Sequence, residues 1–525
     1  MAIAFLFLTK LYHFMTGTNS DKNLRIGDIF TPIKWAKFAI DKFDLFDKWL
    51  NGASIFDPTM GKGSLLKALM ETGLQKGHDL EKLPVKSLFG NELNSDHHKS
   101  ALKTFNDLYQ TNMSQNFSNC DLLTLQERPF DIIFGNPPWL NFVDLPNDYK
   151  ENIKNYFYVY DLISNSQKLL LGGSRIELAA LMIQISVKNF LIPSGIAVFF
   201  FPLSLLLNDG ANEAFRTYKI NEIKFQIESI YDFGDARIFQ GIDTRYGLMK
   251  LKRDRQNNFP LPYFIYKKGH WENNLARPMF NDTDPLSILT EKQTSDFKKS
   301  FSPVSLTKDC MPRQGINTCG ANDIFFFDDI KFRGNDICIC KNKTYANIEL
   351  PKSFLYPLIT SKNFKYDHHK PDKWVLLPYC NSGKLLEINA IREIPLLYEY
   401  LSKNKTRLTN RKGTMIKSFI QRGYWYALLG VGIYSFFPYK IVWEAYGKSN
   451  FNPVIFTGNW QANQSLQAFI PCKNKEDAET TLKALKQKCI LDYLLSLRMQ
   501  GTMNWAQPGK IKKLIQYKDD LFQSV

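Results

Sequence analysis

One stretch limits the possible folds of this chain more than any other, Phe130 to Trp139, reading FDIIFGNPPW. The apolar run Ile132-Ile133-Phe134 has the continuity of a strand buried on both faces. It leads directly into Asn136-Pro137-Pro138-Trp139. Two successive prolines offer no backbone N–H and hold φ near about −65°, so the corner is rigid and rich in acceptors. A buried strand ending in such a corner belongs in an open α/β sheet, which binds ligands at the carboxyl ends of its strands. The corner can take two hydrogen bonds from one amino group, through the Asn136 side-chain oxygen and the Pro137 carbonyl, and lay a flat ring on Trp139.

Three other segments end in the same way. Ile55-Phe56-Asp57-Pro58-Thr59-Met60-Gly61-Lys62-Gly63 reads as a strand breaking into a glycine turn before a helix. Glycines there let the backbone come close to a ligand, and the strand-end carboxylate can hold an ammonium or hydroxyl group. Val85 to Phe89 reads as a strand ending in Gly90-Asn91-Glu92, at the offset where an acidic side chain takes ribose hydroxyls. Asn119-Cys120-Asp121-Leu122-Leu123 comes one strand before the decapeptide. Together they form a nucleoside-binding pattern without a Walker Lys-Ser/Thr signature, which disfavours phosphoryl transfer. Upstream, Phe30-Thr31-Pro32 precedes a helical pattern from Ile33 to Phe43, with Thr31 expected as N-cap and Pro32 at the first helical position.

The charge is divided unevenly. Residues 1–255 carry 29 Lys+Arg against 28 Asp+Glu, and residues 256–525 carry 38 against 23, so nearly all of the net +16 lies in the back half. A basic half behind a neutral one points to a polyanion such as nucleic acid. The eight cysteines include no CxxC pair, so no metal site is expected and reduced cytosolic thiols are the default. Met1 to Met15 is apolar but too short to span a bilayer and lacks a basic n-region. It reads as a packing arm, or as an upstream extension if translation starts at Met15. No membrane association is expected.

The order FTP, DPxxGxG, Glu92, Asp121, NPPW resembles the gamma-class, TaqI-like S-adenosylmethionine-dependent adenine-N6 DNA methyltransferases. The likeness continues through Glu177-Leu178-Ala179-Ala180, the turn and strand from Pro193 to Pro202, and the eighth-motif segment Ile238 to Thr244 before a last strand from Tyr246 to Leu251. It implies an α/β fold: a class I methyltransferase Rossmann-like doubly wound sheet with a C-terminal mixed α+β target-recognition domain. The division expected is an arm over 1–26, a catalytic domain over 27–255 and a basic target-recognition domain over 256–525, joined through the polar segment 252–258.

The resemblance further implies that Thr31 and the Asp57, Pro58, Gly61, Gly63 turn hold the methionine part of S-adenosyl-L-methionine. Glu92 would take its ribose, and Asp121 with Leu122 its adenine. Asn136, Pro137, Pro138 and Trp139 would form the catalytic corner, with Trp139 and Phe239 stacking the target base. DNA-contact candidates in the back half are Lys405, Arg407, Arg411, Lys412 and Arg422, where cations are interleaved with aromatic residues, and Arg313, which opens a stretch that more loosely resembles the family's target-recognition domains. The partner implied is double-stranded DNA in a prokaryotic cytosol, with a separate restriction endonuclease left open. Two other readings stay open: a methyltransferase on another planar amine (an RNA base, cytosine N4 or a protein glutamine), and a non-catalytic DNA-binding protein on this scaffold.

Overall fold

The computed structural model describes residues 29–163, 175–239, 244–365, 370–445, 451–497 and 506–517. The N-terminal arm over 1–26 and residues 240–243 of the eighth-motif segment lie outside them. The chain divides between Thr290 and Glu291 into two compact units.

The first unit is built on one large sheet. Its strands are β1 (Ile55–Asp57), β2 (Leu88–Asn91), β3 (Phe117–Ser118), β4 (Phe130–Gly135), β5 (Leu191–Pro202), β6 (Ile223–Asp232), β7 (Tyr246–Arg253), β8 (Leu261–Lys267), β9 (His270–Arg277) and β10 (Ser287–Ile288). They lie in the order β3-β2-β1-β4-β5-β7-β6-β8-β9-β10, with the short strand Lys219–Ile220 pairing beside β6. Strands β1 to β5 are parallel. β7 runs antiparallel between β5 and β6. This is the doubly wound α/β sheet expected from the motif order. It gathers Asp57, Glu92, Asp121 and Asn136 at the carboxyl ends of β1 to β4.

Side-chain parity explains how the sheet is covered. Ile132 and Phe134 share one buried core with Ile55, Leu88, Val198 and Phe200. The same core takes the apolar stripes of α1 (Ile33–Lys42), α2 (Leu45–Leu50), α3 (Ser64–Gln75) and α4 (Ser95–Tyr109). Helices α5 (Asn147–Val159) and α6 (Leu178–Ile185) lie outside that cluster, and α6 is buried at every position.

Three sequence expectations change here. The strand expected from Val85 begins only at Leu88, because Val85–Ser87 is a 3-10 turn held by Ser87 N and Oγ on the Pro84 carbonyl. The segment 252–258 does not separate the two units. Asn257 is buried and its Oδ1 accepts from Ile227 N at 2.9 Å, beside a register shift in β6. Strands β8 and β9 then extend the same sheet, so the structural division falls at Thr290 instead of 255.

The second unit is mixed α+β. A four-stranded sheet joins Arg313–Gln314, Gln467–Cys472, Tyr439–Glu444 and Val454–Thr457, and among the described residues two three-stranded sheets and a short parallel pair accompany it. Two helices near the end of the unit, Lys475–Leu485 and Lys488–Ser496, are separated at Lys486-Gln487. No helix among the described residues is long and apolar enough to cross a membrane.

Candidate active site

The glycine turn after β1 is shaped by its backbone. Gly61 and Gly63 both have positive φ (55° and 77°), and a Cβ on Gly61 would come within 3.1 Å of the Phe30 ring. The turn is therefore limited to glycine at the point where the 29–31 segment closes over it. Glu92 fastens it from the next strand: Oε2 accepts from Gly61 N at 2.8 Å and Oε1 from Asn94 N at 2.7 Å. Asp57 is fully buried at the end of β1, where Oδ1 accepts from Thr59 N at 3.2 Å. Burial holds its carboxyl well above the ordinary range, offset in part by the Thr59 bond and reinforced by the nearby Glu92 charge.

Asp121 caps the short turn after β3, with Oδ1 accepting from Leu123 N at 3.0 Å and Oδ2 from the Tyr149 hydroxyl at 3.4 Å. Burial raises its pKa, while those two hydrogen bonds lower it. One cleft joins these groups, enclosing about 1040 Å³ counted to its open mouth. Its lining includes Thr31, Asp57, Pro58, Gly61, Glu92, Asp121, Leu122, Asn136 and Pro138. Gly63, Pro137, Trp139 and Phe239 lie off that lining. Sequence reasoning missed Phe30, His97, Tyr149 and Met182, which also line it. His97 and Tyr149 come from helices with no motif of their own, while Phe30 and Met182 lie beside motif residues in the FTP segment and in the helix that follows Glu177.

Asn136 connects the cleft to the proline corner. Its Nδ2 donates to the Ile29 carbonyl at 3.0 Å and to Thr31 Oγ1 at 3.1 Å. The Ile29 carbonyl can only accept, which fixes the orientation of the amide. Asn136 Oδ1 is buried and has no hydrogen-bond partner among the described residues. Thr31 is thus not the helix cap expected: α1 starts at Ile33 with Pro32 at its cap and no side-chain cap bond, because the Thr31 hydroxyl is engaged by Asn136.

The corner is held on both sides. Thr59 Oγ1 donates to the Asn136 carbonyl at 3.2 Å, and Leu178 N at the start of α6 donates to the Leu140 carbonyl at 2.7 Å. Glu177, immediately before α6, accepts from Ser204 Oγ at 2.7 Å.

Trp139 stands in an aromatic group. Phe239 meets it edge-on with centroids 4.9 Å apart and planes at 87°. Tyr246 stacks on it at 5.4 Å and 26°. Phe239 is only 4% exposed, so the two expected stacking rings touch and leave no gap between them for a base. The Trp139 indole N–H, like Asn136 Oδ1, is buried without a partner among the described residues.

The basic candidates of the second unit differ in their exposure. Arg411 is corrected: it is buried, and its guanidinium donates to the carbonyls of Leu408, Thr318, Ala427 and Trp425 at 2.6 to 3.1 Å. It ties the fold together and is not available to DNA. Lys405, Arg407, Lys412 and Arg422 are exposed. Arg407 contacts both carboxylate oxygens of Asp323 at 3.0 and 2.8 Å. Arg313 is half-buried with its guanidinium 3.8 Å from the Tyr434 ring centre.

Residues 65–239 match the family of Eco57I restriction-modification methylases. That region runs from the helix after the glycine turn to Phe239, and so includes the proline corner. Over nearly its whole length the chain is similar to the Type II methyltransferase M.NspV of Nostoc sp., with 22% identity over 95% of this chain and 96% of the relative. Among solved structures it resembles the DrdV–DNA complex, with a TM-score of 0.51 and 15% identity over 88% of this chain and 51% of DrdV. Another likeness is the Type IIL restriction-modification enzyme MmeI in complex with DNA, at a TM-score of 0.49 and 13% identity over 90% of this chain and 61% of MmeI. The chain therefore spans half to three-fifths of those two proteins. The first unit is a doubly wound α/β sheet, and the region of the Eco57I-type match lies within it.

Proposed function

We propose that this chain is the modification enzyme of a restriction-modification system, methylating the N6 amino group of an adenine swung out of duplex DNA. The observation that carries the reading is Asn136, whose Nδ2 is tied to the 29–31 segment while Oδ1 is buried at the end of β4 without a partner among the described residues. A buried acceptor without a donor is costly, and an exocyclic amine supplies one.

The cleft fits S-adenosylmethionine. Asp57 is a buried carboxylate that forms no ion pair among the described residues, suited to the ammonium of the methionine moiety; Thr31 and Gly61 complete that end, and Gly63 shapes the turn behind them. Glu92, on the cleft lining, suits the ribose hydroxyls, and Asp121 with Leu122 suits the adenine. When bound, the cofactor supplies an electrophilic methyl group.

The protein's own contribution is to the acceptor. An aromatic amine is a poor nucleophile because its lone pair is delocalised into the ring. If Asn136 Oδ1 accepts one N–H and the Pro137 carbonyl the other, the nitrogen is drawn toward tetrahedral geometry and its lone pair is freed. The face of Trp139 then favours the transient positive charge by about 1–2 kcal/mol in a desolvated site. No strong base is required before transfer, since the proton becomes acidic only afterwards. Positioning and electrostatic complementarity provide most of the acceleration.

A duplex base must leave the stack to reach this corner. The exposed cations Lys405, Lys412 and Arg422 of the second unit suit phosphate contact, in keeping with its excess of positive charge. The likeness to restriction-modification enzymes supports the biological role, with a separate endonuclease of matching specificity in the same prokaryotic cytosol.

The test is transfer of tritiated methyl groups to duplex DNA, RNA and a glutamine-bearing protein in parallel, followed by nucleoside analysis of the DNA. Label should appear in DNA as N6-methyldeoxyadenosine. Label entering only RNA or protein, or DNA cytosine, would reject the reading.

A further inference from the structure

Tyr246 is the first residue of β7 and pairs with Pro202 at the end of β5, so it stands at the sheet edge where the proline corner lies. Its ring and its hydroxyl make separate attachments. The ring stacks on Trp139 at 5.4 Å and meets Phe239 edge-on at 4.8 Å. The hydroxyl accepts from Ile238 N at 2.9 Å and Phe239 N at 3.3 Å, and donates to the Ala236 carbonyl at 3.2 Å. Its donor and both lone pairs are thereby used. One side chain therefore backs the Trp139 indole and fixes the backbone that carries Phe239.

We infer that Tyr246 is a positioning residue for the acceptor base: it sets the plane of Trp139 relative to Asn136 Oδ1 through its ring, and the place of Phe239 through its hydroxyl. Tyr246 lies off the lining of the cofactor cleft. It acts through Trp139 and Phe239, and its loss acts on the acceptor side of the reaction alone. Phe239 is buried and edge-on, so it buttresses Trp139 while the base rests on the far side of the assembly. This role rests on the proposed reading of the corner as an adenine site.

The test compares wild-type full-length protein with Tyr246→Phe, which keeps the ring and deletes three hydrogen bonds, and Tyr246→Met, which also removes the stacking face. Three quantities are measured: steady-state kcat and KM for duplex DNA, cofactor affinity by calorimetry, and the fluorescence lifetimes of 2-aminopurine at the target position. A misplaced reacting group costs rate steeply, so Tyr246→Phe should lower kcat by about tenfold and Tyr246→Met by about a hundredfold. Cofactor affinity should stay within about threefold, since the cleft keeps all of its lining side chains. The 2-aminopurine lifetime should be dominated by one component in the wild type and divide into several in the variants, as the base loses a single resting place.

Unchanged kcat and lifetimes in Tyr246→Phe would overturn the inference. So would a loss of cofactor affinity parallel to the loss of kcat, or failure of both variants to fold, because either would make Tyr246 an ordinary core residue. If the wild type itself transfers no methyl group to DNA adenine, the adenine reading fails. A wild type active on adenine beside an equally active Tyr246→Phe rejects only the positioning role.

Discussion

Replacing Asn136 by alanine separates the two halves of its amide. The Nδ2 half makes two hydrogen bonds, to the Ile29 carbonyl and Thr31 Oγ1, and these hold the 29–31 segment over the cleft. At about 1 kcal/mol each, their loss lowers stability by about 1–2 kcal/mol. The Oδ1 half has no partner among the described residues, so its loss costs the fold nothing further. In the reaction, that oxygen is asked to hold the amine as charge develops, and deleting one such hydrogen bond typically lowers kcat by about 10²–10³-fold. Thermal melts, cofactor titration and single-turnover methyl transfer measure the three effects on the same preparation. The expected result for Asn136→Ala is a small fall in melting temperature, cofactor affinity reduced no more than about fivefold, and kcat reduced at least about a hundredfold. A variant destabilised by about 1–2 kcal/mol but turning over within about fivefold of wild type would refute the assignment of Oδ1 to the acceptor amine.

Other consequences follow from buried charge. Lys440 is fully buried, donates to the carbonyl of Phe437 at 2.9 Å, and has its pKa pushed down by burial to about 7 from 10.5. The unfolded chain therefore binds the extra proton between those values, and stability should rise with pH from about 7 to 10.5; Lys440→Met should flatten that rise in denaturant titrations. Asp57 has a raised pKa, so the ligand-free fold carries a penalty above that pKa that disappears in acid. Cofactor affinity should accordingly weaken as the pH falls and the carboxylate protonates, with Asp57→Asn insensitive to this change and the wild type approaching its affinity in acid, by calorimetry. Arg411→Ala strips four carbonyls of their donor and should cost more than about 3 kcal/mol, seen as loss of a cooperative melt. Lys412→Ala and Arg422→Ala should melt like the wild type. Each should also flatten the salt dependence of DNA binding by about one unit of slope for the phosphate it no longer neutralises.

The contrast between Arg411 and Lys412 shows where sequence reading ends. Adjacent in the chain and both placed among DNA contacts, one is buried on four carbonyls and the other is exposed, a difference set by tertiary packing that composition does not carry. The continuous apolar run before NPPW did identify the central strand, because β4 is buried on both faces and periodicity has only one reading there. The strand-end residues Asp57, Glu92, Asp121 and Asn136 were legible for the same reason: a parallel sheet brings every such end to one edge. The partner of the Thr31 hydroxyl was not, since a hydroxyl before a helix suits a cap as well as a partner for Asn136. The linker reading of 252–258 failed on Asn257, a polar residue buried to satisfy a backbone N–H at an irregularity in β6.

The most direct measurement is the structure of the protein with a duplex oligonucleotide carrying its target adenine and a non-transferring sulfonium analogue in the cleft. The account requires the adenine outside the helix, its N6 within about 3 Å of Asn136 Oδ1 and its ring against Trp139. An adenine left in the duplex, or an extruded base whose amine is beyond hydrogen-bond reach of Asn136, would contradict it.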